Sequence, residues 1–364
     1  MRLHVFNPEH DIALARDDMH FTAPKAARTL RENCGFLPAL WADNGDFVLV
    51  SDKDSAVEKL RMTGVRTNKV DFTTADELCR LPSDIVVEPW GWDSALCLQL
   101  SRHGLQNGCL PGGDELQRIR ELSNRNFSSR MLRLLRECID NDSSFTVGQS
   151  YYVSDVEDVA AAVGEFDRVV LKEPWSCSGR GVRYIAPVAS VSSGIRFEAY
   201  AEPIVNWTKN VIRQQGGIMI EPYYNNVLDF GMEFYSLKEG IRYCGLSVFS
   251  TASGFYNGNV VASEDRKQQM ISPLLASEKL VIVKEAIVEM LSREMKDRYL
   301  GPFGVDMMMV RTDDGSLRLH PMVEINIRRT MGHVALSLFG KLSYEEAVVN
   351  LSGGTCTINP IART

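Results

Sequence analysis

Residues 323–328 (VEINIR) constrain the fold more than any other short segment, because polar and apolar side chains alternate along them. Glu324, Asn326 and Arg328 take every second position, and Ile325 and Ile327 lie between them. A period of two is strand geometry, so the three polar groups share one face and the isoleucines share the other. Most such strands present only a solvated face, and the rest of the chain must decide whether this one does more.

A tight turn just upstream predicts the partner strand. Residues 312–316 read TDDGS, and a three-residue loop over 313–315, with glycine last in the left-handed conformation, is a common hairpin connection. That loop pairs Thr312 with Ser316 and, counted outward, Asp306 with Met322. The sequence therefore predicts an antiparallel hairpin over 301–326.

The register of this hairpin decides whether acidic side chains meet. With the three-residue loop, Asp306 shares a face with Glu324 and Asn326. A two-residue turn would instead place Asp306 opposite Val323, on the other face. We favour the first register, because glycine belongs at the last loop position.

Two adjacent carboxylates repel unless a cation or a proton separates them, and all-oxygen ligands suit Mg²⁺ or Mn²⁺. Asp306, Glu324 and Asn326 are thus candidate metal ligands, with a solvated strand face as the alternative.

Composition sets the broad class. The 364 residues suffice for two or three domains, and 45% hydrophobic and 24% charged residues are typical of a globular protein. A net charge of −7 argues against a nucleic-acid or anionic-membrane partner, and no apolar run is long enough to span a bilayer. The N-terminus does not resemble a secretory signal. Eight scattered cysteines, without zinc-ligand spacing, predict free thiols in a reducing compartment, which we take to be the cytoplasm.

The order of predicted elements divides the chain into three units. Strands over 3–6, 47–50 and 84–90 alternate with helices over 23–34, 54–63 and 94–103, which predicts a parallel sheet with helices on its faces. We expect this α/β domain to cover 1–112. A smaller α+β unit with two leading helices follows over 113–215. A larger α+β unit, which carries the predicted hairpin, covers 216–364.

A second candidate site follows an apolar strand in the middle unit. Lys172 ends this strand, and the residues Ser176, Ser178, Gly179 and Gly181 follow it. Small residues let backbone N–H groups approach anionic oxygens, and lysine adds a positive charge. The segment is not a Walker A loop. Its alternative interpretation is an ordinary glycine-rich turn between two strands.

A third candidate site lies at the start of the last unit. The strand over 218–224 contains Glu221, Pro222 and Tyr223, and Asp229 follows it. The functional interpretation is an adenosine site, in which backbone groups at 221–223 meet the adenine edge and Asp229 accepts a hydrogen bond from ribose. The alternative is a strand end with exposed acids.

The order of these features, over about 115–350, resembles the ATP-grasp superfamily of carboxylate–amine or carboxylate–thiol ligases. The resemblance implies two α+β subdomains that clamp ATP, preceded by a Rossmann-like domain. It also implies that Lys172 contacts phosphate, that the loop over 176–181 closes over the phosphates, and that Mg²⁺ binds Asp306, Glu324 and Asn326. Arg328 then resembles the arginine that stabilises the transferring phosphoryl group. Many members carry a lysine at the helix start before the small unit, where this chain offers only Arg125 or Arg130.

The function implied by the resemblance is an ATP- and Mg²⁺-dependent ligase. It would activate a small-molecule or peptide carboxylate as an acyl-phosphate for attack by an amine or a thiol, releasing ADP and phosphate, with Arg328 and Lys172 as catalytic residues. The alternatives are a small-molecule kinase and a nucleotide-binding regulatory protein without turnover. Loops over 7–11 and 88–93 could line an acceptor pocket or be structural turns, and whether the chain forms a homodimer stays open.

Overall fold

The computed structural model describes residues 1–139, 145–166, 168–176, 181–185, 202–252 and 255–361. Its strands are β1 (Arg2–Val5), β2 (Phe47–Leu49), β3 (Asp71–Thr73), β4 (Val86–Pro89), β5 (Tyr151–Val153), β6 (Val169–Lys172), β7 (Val182–Ile185), β8 (Ile218–Pro222), β9 (Asn226–Leu237), β10 (Gly240–Ala252), β11 (Phe255–Val261), β12 (Gly301–Arg311), β13 (Leu317–Asn326), β14 (Ala347–Ser352) and β15 (Thr355–Pro360). Its α-helices are α1 (His10–Arg16), α2 (Lys25–Cys34), α3 (Lys53–Met62), α4 (Ser94–Arg102), α5 (Gly113–Leu122), α6 (Arg125–Ile139), α7 (Val156–Gly164), α8 (Glu202–Gln215), α9 (Glu264–Ile271), α10 (Ser277–Met295) and α11 (Met331–Leu338).

The N-terminal unit is the predicted parallel α/β domain. Its four-stranded sheet has the order β3-β2-β1-β4, and all pairs in it are parallel. Since β1 and β4 are neighbours, the loops that leave their carboxyl ends meet at one edge of the sheet. Helix α1 begins at His10, shortly after β1, so residues 10 and 11 of the predicted loop over 7–11 are helical.

The middle unit is a four-stranded antiparallel sheet of order β5-β8-β6-β7. Helices α7 and α8 cover one side of it, with Val159, Val211 and Ile218 in a shared core. Strand β8 pairs with β5 and β6 in this sheet, although the sequence analysis placed residues 218–222 in the last unit. The glycine pair at 216–217 therefore precedes the last strand of the small sheet rather than the first strand of the large one.

The last unit is built on a seven-stranded antiparallel sheet of order β13-β12-β9-β10-β11-β14-β15. Apolar side chains of β9, β12 and β13 point into a core with α6 and α10, as Phe230, Val305 and Ile325 illustrate. Strands β14 and β15, which the sequence did not predict, pack with the N-terminal domain in a second core. The architecture confirms the predicted combination of an α/β domain with α+β units.

The hairpin of β12 and β13 confirms the predicted turn and corrects the pairing beyond it. The Thr312 N–H donates to the Ser316 carbonyl (3.0 Å), as a three-residue loop requires. The register then shifts between Met308, which lies opposite His320, and Asp306, which lies opposite Glu324. The predicted pairing of Asp306 with Met322 is therefore wrong. Pro321 lies in the shifted segment and has no N–H to give to the ladder, which accounts for the interruption. The shift is an even number of residues, so the predicted shared face survives.

Helix α11 is held against this sheet by close backbone packing. Thr330 caps the helix, and its hydroxyl donates to the buried Glu233 carboxylate (2.8 Å). A Cβ on Gly332 would lie 1.8 Å from Glu233 Oε1 and 2.5 Å from Ser247 Oγ. Only glycine therefore fits at this position without moving a buried carboxylate.

We expect Gly332→Ala to lower the free energy of unfolding by about 1–3 kcal/mol, because overpacking displaces the buried Glu233 side chain. Gly113→Ala is the matched control, since a Cβ there meets no atom within 4 Å. Urea denaturation of both variants measures the difference. Equal midpoints for the two variants would contradict this packing.

Candidate functional site

Three cross-strand rows of buried and partly buried side chains lie on the face of the β9-β12-β13 part of the large sheet that is opposite the core with α6 and α10. The first row contains Asp229, Met308 and His320, the second Gly231, Asp306 and Glu324, and the third Glu233, Gly304 and Asn326. Successive rows are roughly 7 Å apart, because residues two positions apart in a strand share a face. Each of the three rows thus contains at least one acidic residue, and the second and third rows each contain a glycine.

The predicted metal ligands are brought together by the second and third rows. Asp306 lies directly opposite Glu324, and the Asn326 amide donates to Asp306 Oδ2 (3.0 Å). Burial, together with the neighbouring Glu324 and Glu233 carboxylates, raises the pKa of Asp306 to about 7. A raised carboxyl pKa means that the ionised form lacks sufficient positive charge around it. A divalent cation would supply that charge.

The donor set fits a hard cation in its chemistry. Two carboxylates and an amide share the face, and carboxylate and amide oxygens are ligand types that Mg²⁺ accepts together with water and phosphate. The Asn326 NH2 group faces Asp306 and its oxygen faces Arg328, so the amide would have to turn over to bind the cation through oxygen. Among the described residues, no group of three or more His, Cys, Asp or Glu side chains is arranged to hold a metal by itself. The residues therefore fit a cation that phosphate oxygens help to bind, and not a closed protein cage.

Arg125 connects the large sheet to the small unit. Its guanidinium donates to Glu324 Oε2 (2.9 Å), to Ser176 Oγ (2.7 Å) and to the Glu173 carbonyl (2.6 Å). The residue is buried at the start of α6. Of the two arginines that the sequence offered here, Arg125 therefore lies in the site. Arg130 is exposed on the same helix, with its guanidinium 5.6 Å from the Phe127 ring centre.

Lys172 and Glu221 form a buried ion pair at the ends of β6 and β8. Lys172 Nζ lies 2.5 Å from Glu221 Oε2, and Ser150 donates to Glu221 Oε1 (3.1 Å). The large sheet approaches this pair at its first row, where the His320 ring meets the Tyr224 ring with 5.3 Å between centres. Burial, and then the Lys172 charge, lower the pKa of His320 to about 3, so its imidazole is neutral.

The predicted adenosine residues occupy the ends of β8 and β9. Asp229 accepts a hydrogen bond from the Thr251 hydroxyl (2.7 Å), and burial raises the pKa of its carboxyl group. Pro222 ends β8 and is partly buried. The Tyr223 N–H is already bonded to the Arg168 carbonyl (2.8 Å), and the Arg168 guanidinium lies 3.7 Å from the Tyr223 ring centre. The Tyr223 N–H is therefore engaged within the small sheet, and the expectation that backbone groups at 221–223 meet adenine stays a prediction.

Part of the predicted phosphate loop can be described. Gly181 packs closely under the loop, since a Cβ there would lie 2.5 Å from the Ser176 side chain. The Glu173 N–H donates to the Gly181 carbonyl (2.8 Å) and closes the base of the loop. Ser178 and Gly179 lie outside the described residues.

Arg328 faces the N-terminal domain, which the sequence left open. Its Nε donates to both carboxylate oxygens of Asp11 (3.1 and 3.0 Å), and its Nη2 donates to Asn326 Oδ1 (3.0 Å). The chain Asp306–Asn326–Arg328–Asp11 is therefore continuous. It runs from the paired carboxylates to the first turn of α1.

The two loops proposed for an acceptor pocket meet each other and the segment after β13. The Asn7 amide donates to the Gly91 carbonyl (2.8 Å) and to Asp93 (3.1 Å). The Arg329 N–H donates to the Trp90 carbonyl (2.8 Å). These loops are thus held by structural contacts and also lie beside the residue that follows Arg328.

Two features were missed from the sequence: Glu233, and the contact of Asp11, which lies in the loop proposed over 7–11, with Arg328. Glu233 is buried beside His333, with 2.9 Å between His333 Nδ1 and Glu233 Oε2. Burial alone would lower the pKa of His333, but the Glu233 carboxylate raises it to about 9. The period-two pattern of β9 from Asp229 onward could have identified Glu233. Nothing local could have identified Arg328 as the partner of Asp11, because the two residues are 317 positions apart.

Comparison with known proteins gives matches to solved structures only. No protein-family model and no curated protein matches the chain. A structure of N5-carboxyaminoimidazole synthetase from Staphylococcus aureus complexed with ADP is similar with a TM-score of 0.45 and 13% identity, covering 96% of this chain and 81% of that one. The biotin carboxylase domain of Hydrogenobacter thermophilus 2-oxoglutarate carboxylase, complexed with MgADP, ADP and bicarbonate, is similar with a TM-score of 0.49 and 14% identity. This match covers 96% of this chain and 74% of that one. D-cycloserine synthetase DcsG is similar with a TM-score of 0.43 and 15% identity, covering 79% of this chain and 89% of that one. These likenesses assign no role to any residue here.

Within the described part of the chain, no helix is long and apolar enough to cross a membrane.

We expect the Asp306 carboxyl to make folding pH-dependent in metal-free buffer. Because its pKa in the folded state is raised, the native protein holds a proton that the unfolded chain releases between about pH 4 and pH 7. Stability from this group is therefore lost as pH rises through that window. Relative to Asp306→Asn, the wild-type free energy of unfolding should fall by about 1–3 kcal/mol between pH 5 and pH 7. Urea titrations at several pH values measure this, and parallel curves for the two proteins would show that Asp306 is not perturbed.

Proposed function

We propose that the chain is an ATP- and Mg²⁺-dependent ligase of the ATP-grasp type, which joins a carboxylate to an amine or a thiol. The observation that carries the proposal is the ordered face of the large sheet. Asp229, the Asp306–Glu324 pair and the Asn326–Arg328 pair follow one another along neighbouring strands. This order matches a nucleoside, a triphosphate and a reacting acyl group laid along the same line.

The nucleotide would lie between the small and the large sheets. Asp229 would accept a hydrogen bond from a ribose hydroxyl. The Lys172 ammonium would leave the Glu221 carboxylate and bind phosphate oxygens instead. The adenine edge would meet the backbone around Glu221 and Pro222, since the Tyr223 N–H is already bonded. The proposed phosphate loop comprises Ser176, Ser178, Gly179 and Gly181.

Asp306, Glu324 and Asn326 would hold Mg²⁺, and Mn²⁺ suits the same oxygens. The bound cation would neutralise phosphate charge and align the γ-phosphoryl group. Arg125 donates to Glu324 and to the loop residue Ser176. Arg125 would therefore hold the loop in position beside the metal ligands and add positive charge near the phosphates.

The reaction would proceed in two steps. A substrate carboxylate oxygen attacks the γ-phosphorus, and the bond from that phosphorus to the β-bridging oxygen breaks, giving an acyl-phosphate and ADP. An amine or thiol then attacks the acyl carbon, the acyl–oxygen bond breaks, phosphate leaves and the nucleophile loses a proton. Arg328 would offset the negative charge that develops on the phosphoryl and acyl oxygens, and Lys172 would do so on the phosphate side.

Glu324→Gln should reduce ADP formation at least 100-fold, because it removes one of the paired carboxylates while keeping an oxygen for Arg125. The assay screens carboxylates with amines or thiols for ADP release that needs both substrates. Glu285→Gln, an exposed change on α10, is the control and should keep full activity. ADP release that needs only one substrate and yields a stable phosphorylated product would establish a kinase instead. Tight ATP binding without ADP release in any mixture would establish a regulatory binder.

Asp11 acts in this proposal as a positioning residue for Arg328. Asp11→Asn removes the charge that holds Nε and should lower kcat about 10- to 100-fold, a typical cost of misplacing a charged group by about 1 Å. ATP affinity, measured by calorimetry, should stay unchanged, because Arg328 is the one partner that Asp11 hydrogen-bonds among the described residues of the proposed site. Asp54→Asn, an exposed change in the same domain, is the control. A loss of ATP affinity as large as the loss in kcat would refute the positioning role.

A further inference from the structure

A separate cavity lies in the N-terminal domain between α1, α2 and α4. Its volume is about 360 Å³, which suits a small metabolite. Its charged lining consists of Glu9, Arg28, Arg31, Asp93 and Arg102, and the exposed His20 and the partly buried His103 also line it. It lies beyond the carboxyl ends of β1 and β4, where open parallel sheets place their ligands.

Buried polar atoms without partners lie in the wall of this cavity. Glu9 is 5% exposed, and its Oε2 has no hydrogen-bond partner among the described residues. Its other oxygen pairs with Arg31, which also donates to the Gln99 side chain (2.9 Å). The Arg31 Nε is likewise buried without a partner in the described structure. Buried carboxylate oxygens and guanidinium N–H groups are costly to leave unsatisfied, so a donor facing Glu9 and an acceptor facing Arg31 would both be stabilised.

The remaining arginines of the lining add positive charge that the protein does not neutralise. Arg28 and Arg102 form no ion pair or side-chain hydrogen bond with any described residue, whereas Asp93 is committed to capping α4 and to the Asn7 amide. Three arginines therefore face two carboxylates, and the cavity carries an excess positive charge. Apolar walls from Phe21, Leu96 and Leu98 complete it.

The cavity is distinct from the nucleotide site proposed above. Glu9 and Ala13, four positions apart, both line it, so they mark one face of α1. Asp11 is rotated by about 200° from Glu9 around the same axis and points to Arg328. The helix therefore stands between the cavity and the proposed reaction centre.

We propose that this cavity binds a small molecule that carries one ammonium group and two carboxylates, with net charge −1, as in an acidic α-amino acid. The ammonium donates to the Glu9 carboxylate, whose Oε2 is shielded from solvent in the free protein and turns toward the cavity when the ligand binds. The carboxylates accept from Arg31, Arg28 and Arg102, and the methylene groups lie against the apolar wall. The excess positive charge of the lining selects the net negative ligand over a neutral or cationic amino acid.

Calorimetric titration of the full-length protein with L-glutamate and L-aspartate, without nucleotide, tests the site. We expect at least one of them to bind, with glutarate, which lacks the ammonium, and L-lysine, which has the wrong charge, each binding at least tenfold more weakly. The double variant Arg28→Gln/Arg102→Gln should weaken binding at least tenfold. Both arginines are exposed, so the fold should survive, and circular dichroism checks this.

The matched control is Arg16→Gln/Arg61→Gln, which removes the same charge from exposed helix positions outside the cavity. It should bind as the wild type does. The proposal is overturned if neither acidic amino acid binds, if glutarate binds equally well, or if the two double variants bind alike. The titration uses no ATP, so a failed ligase assay leaves this result standing, and the reverse also holds.

Discussion

Two carboxylates that face each other across neighbouring strands determine much of this structure. Side chains directly opposite in an antiparallel pair have Cβ atoms about 5 Å apart, so Asp306 and Glu324 cannot both be ionised cheaply. Positive groups on either side offset only part of this repulsion: Arg125 donates to Glu324, and Asn326 links Asp306 to Arg328. The start of α6, the base of the proposed phosphate loop and the first turn of α1 all converge on this pair.

One glycine lies in the row of the pair and a second in the row beyond it. Gly231 and Gly304 lie on the same face as the carboxylates, and a Cβ on Gly304 would lie 2.6 Å from Glu233 Oε2. A side chain at Gly304 would therefore displace a buried acid, and one at Gly231 would lie 2.7 Å from the Val305 carbonyl oxygen. The acidic groups therefore act as a fixed template, because the strands that carry them are buried on their opposite face.

The sequence predicted those parts of the site that depend on local geometry. The turn over 313–315 fixed the register near the loop, and strand alternation placed Asp306, Glu324 and Asn326 on one face. The wrong pairing with Met322 arose because turn geometry carries no information on the irregularity around Pro321. The predicted face nevertheless survived, since the shift involves an even number of residues. Asp11 and the packing of β14 and β15 on the N-terminal domain depend on contacts between distant segments, which no periodicity reports.

Helix α1 gives the N-terminal domain a position in both proposed sites. One side of this seven-residue helix carries Asp11 against Arg328, and the other carries Glu9 against the cavity. The domain itself is anchored to the large unit, because Val48 and Leu37 share a core with Val334 of α11 and Val349 of β14. That core fixes the N-terminal domain relative to α11, which follows β13, and so holds Asp11 within side-chain reach of Arg328. A ligand that displaced Glu9 would act on the residue that caps α1, and Asp11, two positions further on, would transmit a movement of this helix to Arg328.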